Sequence, residues 1–142
     1  MGCLENPTFR VLVVDDYEPW RRHACSLLQK RAELEVIGEV SDGLEAVQKA
    51  QKLQPDLILL DLGLSGLNGI DAARRIRECA PKAKILFVTT NSSWDIAEEA
   101  LSTGAQGYIV KEDAELMIAV NAVLRGEKFV GRRFAGRHSC DS

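Results

Sequence analysis

Asp15, Asp16, Asp61, Thr89, Thr90 and Lys111 are the residues of this 142-residue chain whose types could do chemistry together. Each stands at or just beyond the carboxyl end of a short apolar run, although the first and last are far apart in sequence. Brought to one patch, they would assemble three carboxylates, hydroxyls and one ammonium. Two carboxylates about 4 Å apart repel by about 4 kcal/mol at an effective dielectric of about 20. Three need a cation among them. The candidate ligands are all oxygens, so the ion should be hard, and Mg²⁺ fits because it shares a few carboxylates with waters and phosphoryl oxygens. Lys111 would add a second positive charge for an incoming dianion, and the Thr89 hydroxyl could donate to one of its oxygens. Asp61 projects alone from its strand end, and Gly63 leaves that flank open while offering a backbone carbonyl to the metal. A carboxylate placed in this way can act as a nucleophile toward phosphorus.

Such a patch requires elements that bring distant strand ends together. Apolar runs at Val11–Val14, Leu57–Leu60, Ile85–Val88 and Tyr108–Val110 have the length and branching of strands covered on both faces. Leu34–Val40 is interrupted by Glu35, Gly38 and Glu39 and suits an edge strand. Amphipathic helical patterns lie between the runs. The first places Trp20, Ala24, Leu27 and Leu28 inward. The second runs from an Asp42 cap to Pro55, and the third carries Ile70, Ala73, Ile76 and Ala80 before Pro81. Ser92 or Ser93 caps the fourth, with Ala97, Ala100 and Leu101 inward and a stop at Gly104. Asp113 is the expected cap of the fifth, which turns Leu116, Val120, Val123 and Leu124 inward and ends at Gly126. Strands alternating with helices predict an α/β fold, a doubly wound five-stranded parallel sheet with helices on both faces and right-handed crossovers. Sheets of this kind carry their sites outside the carboxyl ends of the strands.

Composition narrows the function classes. Hydrophobic residues make up 46% and charged residues 27%, as in ordinary globular domains. No apolar stretch approaches the roughly 20 residues of a membrane helix. The net charge of −3 argues against direct nucleic-acid binding by this chain. Cys3, Cys25, Cys79 and Cys140 lack the spacing of a zinc site or a disulfide framework, and no signal segment opens the chain, so a cytoplasmic location is expected. His23 and His138 receive no role. From Arg125 onward the composition turns basic, locally +3, without a helical period. The expected division is a tail at 1–8, a domain at 9–126 and a solvated tail or linker at 127–142.

Four fragments carry a family resemblance: Val11–Asp16 (VLVVDD), Leu57–Gly69 (LILLDLGLSGLNG), Ile85–Thr90 (ILFVTT) and Gly104–Lys111 (GAQGYIVK). In this order and spacing they resemble the receiver domain of CheY-like response regulators over residues 9 to 126. Val36–Glu39 followed by Asp42–Ala46 is similar to the subfamily that usually precedes a LuxR-type helix-turn-helix. The resemblance implies a flavodoxin-like strand order 2-1-3-4-5. It makes Asp61 the phosphoacceptor, Asp16 and the Gly63 carbonyl Mg²⁺ ligands, and Asp15 a ligand through water. Lys111 would pair with Asp61 and then with the phosphoryl group. Thr89 would be the switch hydroxyl, and Tyr108 the aromatic that fills the space Thr89 vacates. A histidine kinase or phosphotransfer protein would be the donor, and the face of helix 4, strand 5 and helix 5 a candidate homodimer or output surface. Three positions depart from the family pattern. Ser65 replaces a proline and would loosen its loop, Thr90 replaces a smaller residue beside the site, and Glu112 replaces the proline after the lysine. Two other functions compete: a receiver-like docking module that is never phosphorylated, and a phosphohydrolase with an aspartate nucleophile. The latter would want a second aspartate where Tyr17 or Gly63 stands.

Overall fold

Branched residues pack well on a pleat that is covered from both sides, and the apolar runs accordingly fold as strands. The structure, a computed structural model, describes residues 8–136. In chain order the elements are β1 (Phe9–Val14), α1 (Glu18–Gln29), β2 (Leu34–Val40), α2 (Gly43–Leu53), β3 (Leu57–Leu60), α3 (Gly69–Cys79), β4 (Lys84–Thr89), α4 (Trp94–Leu101), β5 (Gly107–Val110), α5 (Leu116–Leu124) and β6 (Phe129–Val130). Single 3-10 turns occupy Lys111–Asp113 and Arg132–Phe134. Every strand pairing is parallel, in the order β2-β1-β3-β4-β5-β6. The expected order 2-1-3-4-5 is present, with a sixth strand added beyond β5.

Side chains alternate across a strand, so each strand feeds two cores. Leu12, Val14, Ile58, Leu60, Phe87 and Tyr108 face Ala46, Ala50, Ala73, Ile76, Ala97 and Ala100 of α2, α3 and α4. Val11, Val13, Leu57, Leu59, Val88 and Ile109 face Ala24, Cys25 and Leu28 of α1 and Ala119, Val120 and Val123 of α5. Alanines on α2, α3 and α4 let those helices approach the sheet closely. The edge strand β2 slips by one residue: Val11 pairs with Val36, but Leu12 pairs with Gly38. This bulge moves β2 from one core to the other, so Leu34 packs with α1 while Val40 packs with α2. Burial pushes the Cys25 thiol up to about 11, with the nearby Glu39 carboxylate adding to the shift. Among the described residues Cys25 and Cys79 are free thiols, and no helix is long and apolar enough to cross a membrane.

Three expectations need correction. A solvated segment from 127 onward was expected, but Gly107 and Tyr108 of β5 pair with Phe129 and Val130 of β6, and Phe134 is only 3% exposed. The local charge surplus dominates the composition there, and a two-residue strand has no period to read. Asp113 does not cap α5. It lies in the 3-10 turn and accepts from Arg133, while Glu115 occupies the cap position without a capping hydrogen bond. Nor does either serine cap α4 through its side chain, although Ser93 holds that position. Residues 1–7 and 137–142, with Cys3, His138 and Cys140, lie outside the described residues.

The loop between β3 and α3 is fixed by close backbone approach. Asn68 caps α3 by accepting from the Asp71 N–H at 2.9 Å, and Gly69 N donates to Leu62 O at 2.9 Å. A Cβ on Gly69 would stand 2.1 Å from the Asp61 carbonyl oxygen and 2.8 Å from Leu62 Cα. Backbone atoms cannot swing aside as a side chain can. Gly69→Ala is therefore expected to lower stability by about 1–3 kcal/mol, the usual cost of overpacking, measured by urea unfolding.

Candidate functional site

Strand register brings the acidic residues together before any side chain acts. Val14 lies opposite Leu60, and Leu60 opposite Phe87, so Asp15 and Asp61 emerge side by side. The ladder runs on into the site: Asp15 N donates to Val40 O at 2.9 Å and Asp61 N to Val14 O at 3.1 Å. On the other flank Thr89 pairs with Val110, which sets Lys111 just past the last rung. One carboxylate oxygen from each of Asp15, Asp16 and Asp61 lies within 4.8 Å of the other two. Asp15 and Asp61 are buried, while Asp16 is exposed.

Lys111 Nζ reaches both buried acids, at 2.7 Å from Asp15 Oδ2 and 3.6 Å from Asp61 Oδ2. The closer partner is thus Asp15 rather than Asp61. The ammonium also lies 5.5 Å from the centre of the Trp20 ring, whose face favours a cation. Asp15 is committed on both oxygens, since Oδ1 accepts from the Tyr17 N–H at 2.9 Å. Asp61 Oδ1 accepts from the Leu62 N–H at 2.8 Å. Burial, reinforced by the Asp15 charge, raises the Asp61 carboxyl above its ordinary value, opposed by Lys111 and by hydrogen bonds from Leu62 and Thr89. Three carboxylates outnumber the one ammonium by two charges, the deficit a divalent ion would fill, and an all-oxygen donor set suits a hard one.

Asp16 and Asp61 open into a cleft of about 740 Å³ that also includes Gly63, Thr89, Thr90 and Lys111. Thr89 is buried and its Oγ1 accepts from the Asn91 N–H at 3.3 Å. Tyr108 is fully buried on the face of β5 toward α4, and its hydroxyl donates to Asn91 O at 2.9 Å. Thr90 is exposed on the cleft wall. Ser65 sits in a loop that is tied down, because Gly43 N donates to Ser65 O at 3.1 Å and Leu64 is buried. Glu112 lies in the 3-10 turn after a trans peptide. Trp20 beneath Lys111 and Asn91 between Thr89 and Tyr108 were missed from the sequence. Trp20 reads as an ordinary inward helix position, and Asn91 bonds through its backbone, which residue type does not reveal.

A doubly wound parallel sheet with clustered aspartates and one lysine at its carboxyl edge defines a receiver-type fold and site. The response regulator receiver domain family matches residues 11–121 of the chain, which therefore belongs to that family. The chain is 36% identical over 130 residues to the transcriptional regulatory protein LiaR of Bacillus subtilis (strain 168), covering 90% of this chain and 62% of that protein. It is 37% identical over 122 residues to the response regulator protein VraR of Staphylococcus aureus, covering 84% of this chain and 58% of that protein. The chain thus spans less than two thirds of the length of these relatives. The crystal structure of a LuxR-family two-component response regulator from Aurantimonas sp. SI85-9A1 superposes with a TM-score of 0.86 at 34% identity, covering 91% of this chain and 94% of that one.

A raised carboxyl pKa in the folded state has a definite thermodynamic sign. From the ordinary Asp value of 3.8 up to the raised one, the native protein holds more protons than the unfolded chain, so stability falls as pH rises. With a chelator present, Asp61→Asn is expected to be more stable than the parent protein at pH 7. That gain should disappear as pH falls through the raised value toward 3.8. Thermal melts across pH measure both.

Proposed function

We propose that Asp61 accepts a phosphoryl group, with Mg²⁺, from the phosphohistidine of a histidine kinase or phosphotransfer protein. This cytoplasmic reaction would set the state of a partner-binding or dimerisation face. The observation that carries the reading is the convergence of three carboxylates within 4.8 Å on an ammonium 2.7 Å from one and 3.6 Å from another. An Asp61 carboxylate oxygen attacks phosphorus, the phosphorus–nitrogen bond of the donor breaks, and the departing imidazole keeps the electron pair and takes up a proton. Mg²⁺, when bound, neutralises charge on the phosphoryl oxygens and orients them.

The chain's own groups divide the remaining work. Asp16, Asp61 and the Gly63 carbonyl would hold the metal directly and Asp15 would act through water, with Lys111 and the Tyr17 N–H each taking one of its oxygens. Lys111 follows the charge, leaving Asp15 for the new phosphoryl oxygens once Asp61 carries them. The Thr89 hydroxyl donates to another, and Tyr108 packs behind it.

Incubation with acetyl phosphate and Mg²⁺ should add one phosphoryl group by intact mass. Labelling should vanish in Asp61→Asn and with a chelator. Asp15→Asn, which removes a charge from beside the metal rather than a direct ligand, should raise the Mg²⁺ concentration needed for half-maximal labelling by about tenfold. Unchanged mass under conditions that label another receiver would overturn the reading in favour of a docking module.

A further inference from the structure

The edge of β5 is covered by the chain itself. Phe129 N donates to Gln106 O at 3.0 Å and Gly131 N to Tyr108 O at 2.9 Å, which extends the sheet by one short rung. Beyond that rung the Phe134 ring is buried, 5.5 Å from the Trp94 ring and 5.8 Å from the Tyr108 ring between centres. Two ionic clasps complete the attachment. Glu115 Oε2 accepts from the backbone N–H of Arg132 at 3.2 Å and from its Nε at 3.0 Å. Arg133 donates through Nε and Nη2 to both oxygens of Asp113, each at 2.6 Å.

We propose that residues 129–134 are a strap over the edge formed by α4, β5 and α5, closed while Lys111 rests on Asp15 and released when Asp61 carries a phosphoryl group. This rests on the reading of Asp61 as the phosphoacceptor. Its physical basis is where the strap is seated. Tyr108 stands three residues before Lys111, Asp113 two after it and Glu115 four after it, while Trp94 stands five after Thr89. Each seat is therefore a short, stiff distance from a group that an anion at Asp61 attracts. Movement of Lys111 or Thr89 toward that anion displaces the seats relative to one another, and the strap cannot follow all of them.

The clasp also carries built-in weakness. Ala114, between Asp113 and Glu115, has φ of +55°, a left-handed conformation that is costly for a residue with a Cβ. Glu115 Oε1 is buried without a hydrogen-bond partner, a cost that hydration on release would remove. Gly131 lets the strap come this close, since a Cβ there would stand 3.0 Å from the same oxygen. A cleft of about 440 Å³ between Ser92–Asp95 and the strap residues Arg133 and Phe134 gives the segment room to shift. Release would uncover an aromatic surface of Tyr108, Trp94 and Phe134, and a partner that addresses this face would compete with the strap.

The test is hydrogen exchange on the full 142-residue chain, with and without acetyl phosphate and Mg²⁺, and intact mass taken from the same samples. The amides of residues 129–134 should exchange at least tenfold faster in the phosphorylated fraction, while those of β1 and β3 stay unchanged. A strap that holds the unphosphorylated state also lowers the population ready to accept the group, so loosening it should favour phosphorylation. Arg133→Gln, which loosens a clasp far from the acids, should exchange rapidly at these amides without phosphorylation and should raise the phosphorylated fraction several-fold at limiting acetyl phosphate. A merely structural strap would give the first effect without the second. Added mass with unchanged strap exchange, or an unchanged phosphorylated fraction in Arg133→Gln, overturns the strap alone. No added mass in the parent chain overturns the Asp61 reading and the strap with it.

Discussion

One ammonium makes the carboxyl edge of the sheet tolerable. Lys111 Nζ, nearly buried, contacts Asp15 at 2.7 Å and stands 3.6 Å from Asp61. Without it, two buried carboxylates would face each other with only backbone N–H groups and a hydroxyl for compensation. Taking such charges out of water costs several kcal/mol per ion, and attraction returns this only when the geometry is close. The contact also ties the fold together across its width. Asp15 leaves β1 and Lys111 leaves β5, with β3 and β4 between them. A sheet assembled in another order would leave the lysine far from the acids.

Even with that compensation, the centre is electrostatically unfinished. Three acids against one base leave a deficit of two charges, and Asp61 shows it in a carboxyl pKa pushed upward by burial and by its neighbour. Outside the Ala114–Glu115 clasp the rest of the molecule is resolved by comparison: two apolar cores, capped α2 and α3, and a β3–α3 loop pinned through Gly69. Conflict is thus concentrated where a cation and an anion can relieve it. Binding there changes the local energy more than it could in a region already satisfied.

The sequence made the sheet's central architecture legible because local signals agree. Branched runs gave β1, β3, β4 and β5, periodic alanines gave the helix faces, and the acids and lysine at the strand ends gave the cluster. What it hid depends on distant partners or on backbone. β6 is only two residues long and exists because β5 offers a free edge. Asp113 looks like a helix cap by position but is engaged by Arg133, twenty residues away. Trp20 has the pattern of a core residue, and only the fold puts its ring beneath Lys111. The bulge in β2 likewise follows from the β1 register rather than from composition.

That bulge has a consequence for how copies of the molecule meet. A long flat outer strand is a template for another chain, and intermolecular growth of a sheet begins there. Here the outermost rung on one side is kinked between Val36 and Gly38 and carries the acids Glu35 and Glu39. On the opposite side the last rung, β6, is two residues long and gives way at once to a tight turn. Among the described residues neither margin presents an uninterrupted row of backbone donors and acceptors, so while the strap is closed self-association through added strands is opposed at both ends and recognition falls to side chains on helices and loops.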